Sequence, residues 1–356
     1  MTLVRPKHKL EVRDSDGVLK RVIHDVATAT LDQSVNNPAI VSLTCPISPQ
    51  ISAALTDLDR PNAIWVWRDT DLIFAGPISL VKITHENGLK QIQIDALDYM
   101  DSLKGEYVEL YDALDSVPDH IAAILAQQVS TTPVLLGTIE PTIDRDITIR
   151  KDYIYHALMS LRDCVGGYLQ VDPYRNLNWY WSIATSTGQQ IRYRKNLAGM
   201  TKSIDWLNFG NRLWIYGYSA VYNTPVKLSD VGGGWPDYIE DTDSIAKYGL
   251  CVRKLNEETF ETAATMLNYA ELKIAEMSQP RITYTVDIVN LADFGLTAEA
   301  LELGSWVTLI DEEIDVNVDV QIVRIVYDLV KGQNVSIELA AKGLDICDLV
   351  PGNYTL

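Results

Sequence analysis

The sequence predicts a mainly β member of the α+β class, with two β-barrels related by internal repeat and an α+β module inserted. Three observations predict it. Period-two apolar runs fill the first hundred residues and return after residue 200 and after residue 280. Helical stripes are confined to the middle of the chain. Segments of the first β region recur in the second in the same order. At 356 residues the chain can hold two or three domains, each with its own core.

The first hundred residues read as a meander. LEVR and VLKRVIHD flank a DSDG turn, NNP (36–38) precedes AIVSLTC, and DRPN (59–62) precedes AIWVW. LIFAGPISLVKIT runs into ENG (86–88), and LKQIQIDAL alternates with period two. A short helix follows at LDYMDSLKG, stopped by Gly105.

The next block changes period. SVPDHIAAILAQQV sets Ser116 and Asp119 at capping-box spacing and Ile121, Ile124, Leu125 and Val129 on one stripe. DYIYHALMSLRDCVGG aligns Ile154, Leu158, Leu161 and Val165 and stops at a Gly pair. YLQVDPYRNLNWYW is a hairpin around DPYRN. NRLWIYGYSAVY is a strand, VGGGWPD (231–237) a Gly-rich loop, and the longest helix starts at an Asn256 cap. Phe260, Ala264, Leu267, Ala270, Ile274 and Met277 form its core face, and Pro280 ends it. RITYTVDIV, SWVTLIDEEIDVNVDVQIVRIVYD and NVSIEL complete a second meander.

The repeat is legible as matched pairs. IWV (64–66) matches SWV (305–307), aligning Trp65 with Trp306; LVKI (80–83) matches IVRI (322–325), aligning Lys82 with Arg324; QIQIDA matches NVSIEL, aligning Asp95 with Glu338. In both copies a strand enters an acidic turn, RDTD or IDEEID. Three such chains present six similar barrels, so a trimer can match a hexamer.

Composition excludes several function classes. Net charge is −18, and residues 281–356 carry four Lys/Arg against thirteen Asp/Glu, half of that deficit. Residues 1–24 are locally basic, with six Lys/Arg against three Asp/Glu. Gripping nucleic acid requires cations against phosphates, so the chain is not a nucleic-acid binder in the usual sense. No apolar run approaches the roughly 20 residues of a bilayer span, and MTLVRPKHKLEV has no signal-peptide h-region. Cys45, Cys164, Cys251 and Cys347 are spaced too widely for a zinc ribbon or a stapled scaffold, and read as reduced thiols.

Motifs for chemistry are sparse. Asp311, Glu312, Glu313, Asp315 and Asp319 supply carboxylates, but neighbouring strand positions face opposite ways, so paired acid–base work there is disfavoured. His8, His24, His85, His120 and His156 follow no hydrolase pattern. His156 and Cys164 lie eight residues apart on one helix, more than about 10 Å by helical rise, too far for a dyad. Glu240, Asp241 and Asp243 lack the glycine and terminal glutamate of a calcium loop. The Gly-rich loop precedes no phosphate cradle. Trp65/Trp67 and Trp179/Trp181 pair by period two and suit core, subunit interface or sugar stacking, with core and interface favoured.

The order PNAIWVW…LIFAGPI…IQIDALDYMDSLKGEYV, GGYLQVDPYRNLNW, YGYSAV…DTDSIAKYGL and LGSWVTLIDEEIDV, over nearly the whole chain, resembles the baseplate-hub or tail-tip hub proteins of tailed phages and prophages. It is also similar to the N-terminal structural region of the tail-associated lysin, or prophage endopeptidase tail, family. That resemblance implies a homotrimer at the virion tail tip, assembled in the host cytoplasm. Two tube-like barrels would continue a hexameric tail tube, and an outer module would face neighbouring proteins. The expected domains are 1–104, first barrel; 105–200, outer α+β module; 201–225 with 281–345, second barrel; 226–280, inserted loop and helix; and 346–356, a strap or linker.

Expected partners are the distal tail protein or tube hexamer, the tape-measure protein, and tip fibre or receptor-binding proteins. DNA would transit without specific binding; no membrane anchor, cofactor or metal is expected. Longer family members carry a C-terminal peptidoglycan hydrolase. The sequence ends at Leu356, so the expectation is a structural hub and not an enzyme, with a wall-degrading lysin or a glycan-binding tip module as alternatives. The 311–319 acids, with Asp69 and Asp71 in the matching turn, are the candidate channel lining; the competing reading is a solvated hairpin turn.

Overall fold

The computed structural model describes residues 8–47, 62–86, 89–183, 186–193, 195–218, 224–257, 260, 262–288 and 301–341. The first meander is β1 (His8–Arg13), β2 (Leu19–Ile23), β3 (Thr28–Ser34), β4 (Ile40–Pro46), β5 (Ala63–Arg68), β6 (Asp71–Glu86) and β7 (Leu89–Leu97). The Asp14 carboxylate accepts the N–H groups of Asp16 and Val18, which makes the DSDG turn, and Gly17 takes φ 81° there. Glu11 on β1 is 1% exposed. It bonds Lys9, Arg13 Nη2 at 2.7 Å and the Trp67 indole N–H at 2.9 Å, which ties β1 across β5.

Asp98 caps the short helix α1 (Tyr99–Ser102) by accepting from Met100 N–H, and its other oxygen takes the N–H of Ala39. The middle of the chain then forms β8 (Tyr107–Ser116), α2 (Val117–Leu125), β9 (Leu135–Ile139), β10 (Asp144–Tyr153), α3 (Ile154–Val165), β11 (Tyr168–Val171) and β12 (Asn176–Tyr180). Ser116 caps α2 as its spacing predicts. Ile121, Ile124 and Leu125 are buried, but Val129 is 90% exposed, because α2 stops at Leu125 and the stripe stops with it. On α3 all four predicted apolar residues are buried, and Gly166 and Gly167 follow with φ 84° and 93°. The DPYRN hairpin forms as β11 against β12.

Next come β13 (Ser186–Arg192), β14 (Leu197–Asp205), β15 (Arg212–Tyr216), β16 (Tyr238–Glu240), α4 (Thr242–Tyr248), β17 (Val252–Asn256) and α5 (Ala263–Met277). The long helix starts later than predicted. Asn256 ends β17, and Thr262 caps α5 by accepting from Thr265 N–H. Its buried face is Thr265, Met266, Tyr269, Ala270 and Ile274, rotated from the predicted one. The strand read at NRLWIY is β15. It pairs with β16 and β17 in a separate three-stranded sheet rather than with the second meander. Its Leu213 and Ile215 share one core with α2, α3 and α5. The chain finishes with β18 (Arg281–Ile288), β19 (Trp306–Asp311), β20 (Val316–Asp328) and β21 (Gln333–Ala341).

Both meanders lie in one 13-stranded sheet. Its order runs β14–β18–β21–β20–β3–β4–β7–β6–β5–β1–β2, with β19 and β13 branching from β20. The protein is mainly β, but no sheet closes; the path from β14 to β2 is open, so the expected barrels are not seen as closed rings within one chain. Strand order in the two meanders is the same: β3–β4–β7–β6–β5 and β14–β18–β21–β20–β19.

Pairing sets which residues correspond. Ile78 N–H bonds Asn62 O at 3.0 Å and Ile322 N–H bonds Ser305 O at 2.9 Å, so Ala63, not Trp65, stands where Trp306 stands. Leu80 faces Asp95 and Arg324 faces Glu338, each just past a β-bulge. By position in their strands Asp95 and Glu338 line up, while Trp65 and Trp306, and Lys82 and Arg324, lie two residues apart.

Candidate functional site

The acidic run folds as the β19–β20 hairpin. Asp311 faces Val316 at the last rung, which leaves 312–315 as the loop. Asp311 is 8% exposed and accepts Glu313 N–H at 2.9 Å. Asp315 takes φ 54°, a left-handed conformation that aspartate tolerates. Asp319 lies along β20 opposite Thr308, whose hydroxyl donates to it at 2.8 Å. Glu312, Glu313, Asp315 and Asp319 are exposed, and Glu312 pairs with Arg192 at the end of β13. Arg192, Asp311, Glu312, Asp315 and Asn317 line an open hollow of about 400 Å³. The hollow holds one cation among several carboxylates, so its field stays negative and disfavours a phosphate.

Asp69 and Asp71 sit in the matching turn of the first meander. Arg68 faces Asp71 there, so the loop is only Asp69 and Thr70, and Asp69 takes φ 53°. The turn aspartate at positive φ recurs; the pair of glutamates does not.

Groups that could do bond chemistry are tied into structure. His120 is fully buried; its Nε2–H donates to Arg145 O at 2.8 Å, so its Nδ1 accepts the Tyr111 hydroxyl at 2.6 Å. His156 contacts Asp152 at 3.0 Å, while Cys164 is 1% exposed with its thiol pKa raised by burial. That is the opposite of an activated nucleophile. Asp241 accepts from Ser244 N–H as the cap of α4, which accounts for the acid-rich loop at 240–243. Among the described residues no group of three or more His, Cys, Asp or Glu is placed to hold a metal ion. No helix among them is long and apolar enough to cross a membrane.

The tryptophans divide. Trp179 is fully buried on β12 and donates to Gly166 O at 3.0 Å, so it cannot serve as a sugar platform. Trp181 lies just past the strand and is 48% exposed. The Arg13 guanidinium lies 4.6 Å from the Trp65 ring centre and 5.9 Å from that of Trp67. Sequence reasoning missed Arg192, whose partner is 120 residues away, and a hollow of about 470 Å³ walled by Trp65, Tyr99, Tyr174 and Arg175. Neither leaves a local pattern to find.

Comparison with known proteins supplies the rest. Residues 185–350 match the prophage endopeptidase tail family. No curated protein matches. The 43 kDa tail protein of prophage MuSo2 from Shewanella oneidensis aligns with TM-score 0.69 at 12% identity, over 95% of this chain and 100% of that one. A tail protein from Neisseria meningitidis gives 0.66 at 15% identity, over 96% and 99%. The E. coli c3393 protein is a type VI secretion component described as similar to the T4 tail proteins gp27 and gp5. It gives 0.53 at 11% identity, over 95% and 77%. The resemblance read from segment order therefore stands: residues 185–350 match the prophage endopeptidase tail family, and the chain has the fold of the prophage tail proteins above.

Proposed function

We propose that the chain is a structural component of a phage tail tip: a homotrimeric hub that adapts a hexameric tail tube to the tip and surrounds an acidic channel. One observation carries the reading, the recurrence of a single strand order within one chain. Taken as one tube-like unit present twice, it gives six such units in three copies, and closed cyclic symmetry then matches three chains to six. The tail-protein fold and the family match support the same reading. In it, residues 206–280 belong with the outer module, because β15 and α5 share its core. The partners are the distal tail protein or tube hexamer, the tape-measure protein, and fibre or receptor-binding proteins. The role is not enzymatic.

The acids give the channel its purpose. Duplex DNA carries about one charge per 1.7 Å, and screening at physiological salt extends about 8 Å. Carboxylates around a narrow bore therefore repel DNA from every side and keep it sliding. Exposed Glu312, Glu313 and Asp315 at the β19–β20 turn are the candidate lining.

Mass photometry and negative-stain imaging of the purified chain test the hub, with a three-fold ring expected. A monomer, or release of muropeptides from sacculi, removes it. For the channel, particles carrying Glu312→Lys, Glu313→Lys and Asp315→Lys are expected to assemble and to eject DNA more slowly. Unchanged ejection places these acids outside the bore.

A further inference from the structure

The two meanders share a strand order but not a state of pairing. In the first, the outer edge of β3 is covered. Residues 324–328 of β20 run antiparallel to it, Arg324 opposite Ser34, Val326 opposite Asp32 and Asp328 opposite Thr30. This joint links the two meanders within one chain. β14 holds in the second meander the place β3 holds in the first. Among the described residues β14 pairs along its length only with β18, a lone bridge at Leu197 aside. Positions 201–205 are all exposed, Ile204 at 50%.

β6 likewise holds the place of β20. Before its bulge β20 pairs with β19, and beyond the bulge the same side pairs with β3. Before its own bulge β6 pairs with β5; beyond it, that side has no strand among the described residues. Leu80 and Ile83 stand exposed there, at 47% and 54%. One chain thus carries an open edge and the strand end that fits it. Exposed edges with apolar side chains are templates for strand pairing.

We propose that residues 80–84 of β6 in one copy pair antiparallel with 201–205 of β14 in the next, repeating between chains the joint β20 makes with β3. This rests on the ring reading above and names the surface that joins its copies. The internal pairing fixes the register. Ser42 faces Asp95 and Thr30, while Thr285 faces Glu338 and Thr201. Thr201 therefore corresponds to Thr30, and Leu80 to Arg324. The pairs between copies are Leu80 with Asp205, Lys82 with Ser203, and Thr84 with Thr201. Val81 then faces Ile204 on one face, with Ile83 diagonal to Ile204 and opposite Lys202, which stands where Leu31 faces Tyr327 in the internal joint. On the other face Lys82 lies diagonal to Asp205, a favourable charge pairing. The contact is head-to-tail, so it builds a ring when the rotation closes.

Backbone bonds from Val35 N–H to Val323 O and from Leu329 N–H to Ala29 O make Val326/Asp32 a non-hydrogen-bonded pair. Lys82/Ser203 corresponds to it, at about 4.5 Å between Cα atoms, within reach of a disulfide. The test is mild oxidation of the full chain carrying Lys82→Cys with Ser203→Cys, beside each single variant and the native chain, on a non-reducing gel. The double variant is expected to give a reducible ladder ending at three chains, and the single variants none. A native three-fold ring whose double variant links no more than the single variants overturns the joint and leaves the ring reading intact. A native chain that forms no ring, with no linkage, overturns both. Independently, Ile83→Asp is expected to shift the native trimer to single chains on dilution; an undiminished trimer counts against the joint.

Discussion

The first meander turns from β5 to β6 in two residues, Asp69 and Thr70, whereas the second turns from β19 to β20 in four, 312–315. The first is anchored from inside: Glu11, 1% exposed, holds Lys9, Arg13 and Trp67 beneath β1. The second is anchored at its surface, where exposed Arg192 of β13 meets exposed Glu312. Equal strand order thus comes with unequal chemistry. The first unit is tied to its own chain, and the second carries its charge outward. Loops and surface anchors diverge freely because they cost little; the strand ladder does not, because every rung satisfies backbone groups.

The largest expected effect lies where the two units differ in backbone approach. A Cβ on Gly76 would meet the Leu97 carbonyl, its carbon at 2.6 Å, and Asp98 Cα at 2.8 Å. The corresponding residue of the second meander is Val320, which faces Val307 as Gly76 faces Ile64 and is fully buried. Gly76→Ala is expected to cost about 3 kcal/mol, since the atoms it strikes are backbone and cannot turn aside. Val320→Ala should cost about 2 kcal/mol, through lost burial. Urea midpoints measure both; a neutral Gly76→Ala would erase this difference between the units.

Next in size is the inner anchor. Glu11→Gln leaves two cations facing a neutral amide, with an expected cost of about 2 kcal/mol. Burial alone would push the Glu11 pKa up, but hydrogen bonds from Lys9, Arg13 and Trp67 outweigh it and hold it below the ordinary value. A depressed carboxylate stabilises the fold above its unfolded pKa of about 4.3 and loses that contribution as pH falls through the folded value. Acid titration of native and Glu11→Gln protein should therefore draw together as pH falls below about 4.3 and meet once it has passed the lowered folded value. Parallel curves would show that Glu11 carries no such linkage.

Much of the ladder was legible because alternation and turn residues are local signals. The DSDG turn, the Ser116 cap and the Gly166–Gly167 stop all act within a few residues of themselves. The register between the two meanders was not. A slip of two residues keeps every side chain on its own face, so Trp65 against Trp306 looks as good as Ala63 against Trp306. The bulges at Ile78/Leu80 and Ile322/Arg324 set which positions line up, and no residue pattern announces them. The start of α5 was misplaced because Asn256 and Thr262 both make acceptable caps; pairing of β17 with β15 decides between them. At the acidic turn the carboxylates were plain, but Arg192 was invisible, since only the fold brings it to Glu312.

A smaller effect tests the internal joint. Arg324 holds Asp32 through two bonds, Nε–Oδ1 at 2.9 Å and Nη2–Oδ2 at 2.6 Å, and reaches Glu338 at 3.8 Å. Leu80, its counterpart, makes no ion pair. Arg324 and Asp32 are 44% and 29% exposed, so water screens the pair. Arg324→Leu, which makes this joint resemble its counterpart, is expected to cost about 1 kcal/mol by urea denaturation. A cost several times larger would mean the joint depends on charge, and its apolar counterpart could not copy it.

The smallest expected effect is at the turn itself. Glu312→Gln removes one member of an exposed pair, its side chain 56% and that of Arg192 49% accessible. Exposed pairs contribute a few tenths of a kcal/mol, so the urea midpoint should barely move, by less than about 0.5 kcal/mol in stability. Asp311 is the internal control. Asp311→Asn keeps an oxygen for Glu313 N–H, whereas Asp311→Ala leaves that N–H without its acceptor. Asp311→Ala should therefore cost about 1 kcal/mol and Asp311→Asn much less. If Glu312→Gln proves as costly as Asp311→Ala, the exposed glutamate is holding the hairpin together. Its charge would then belong to the fold of the second meander rather than to whatever passes it.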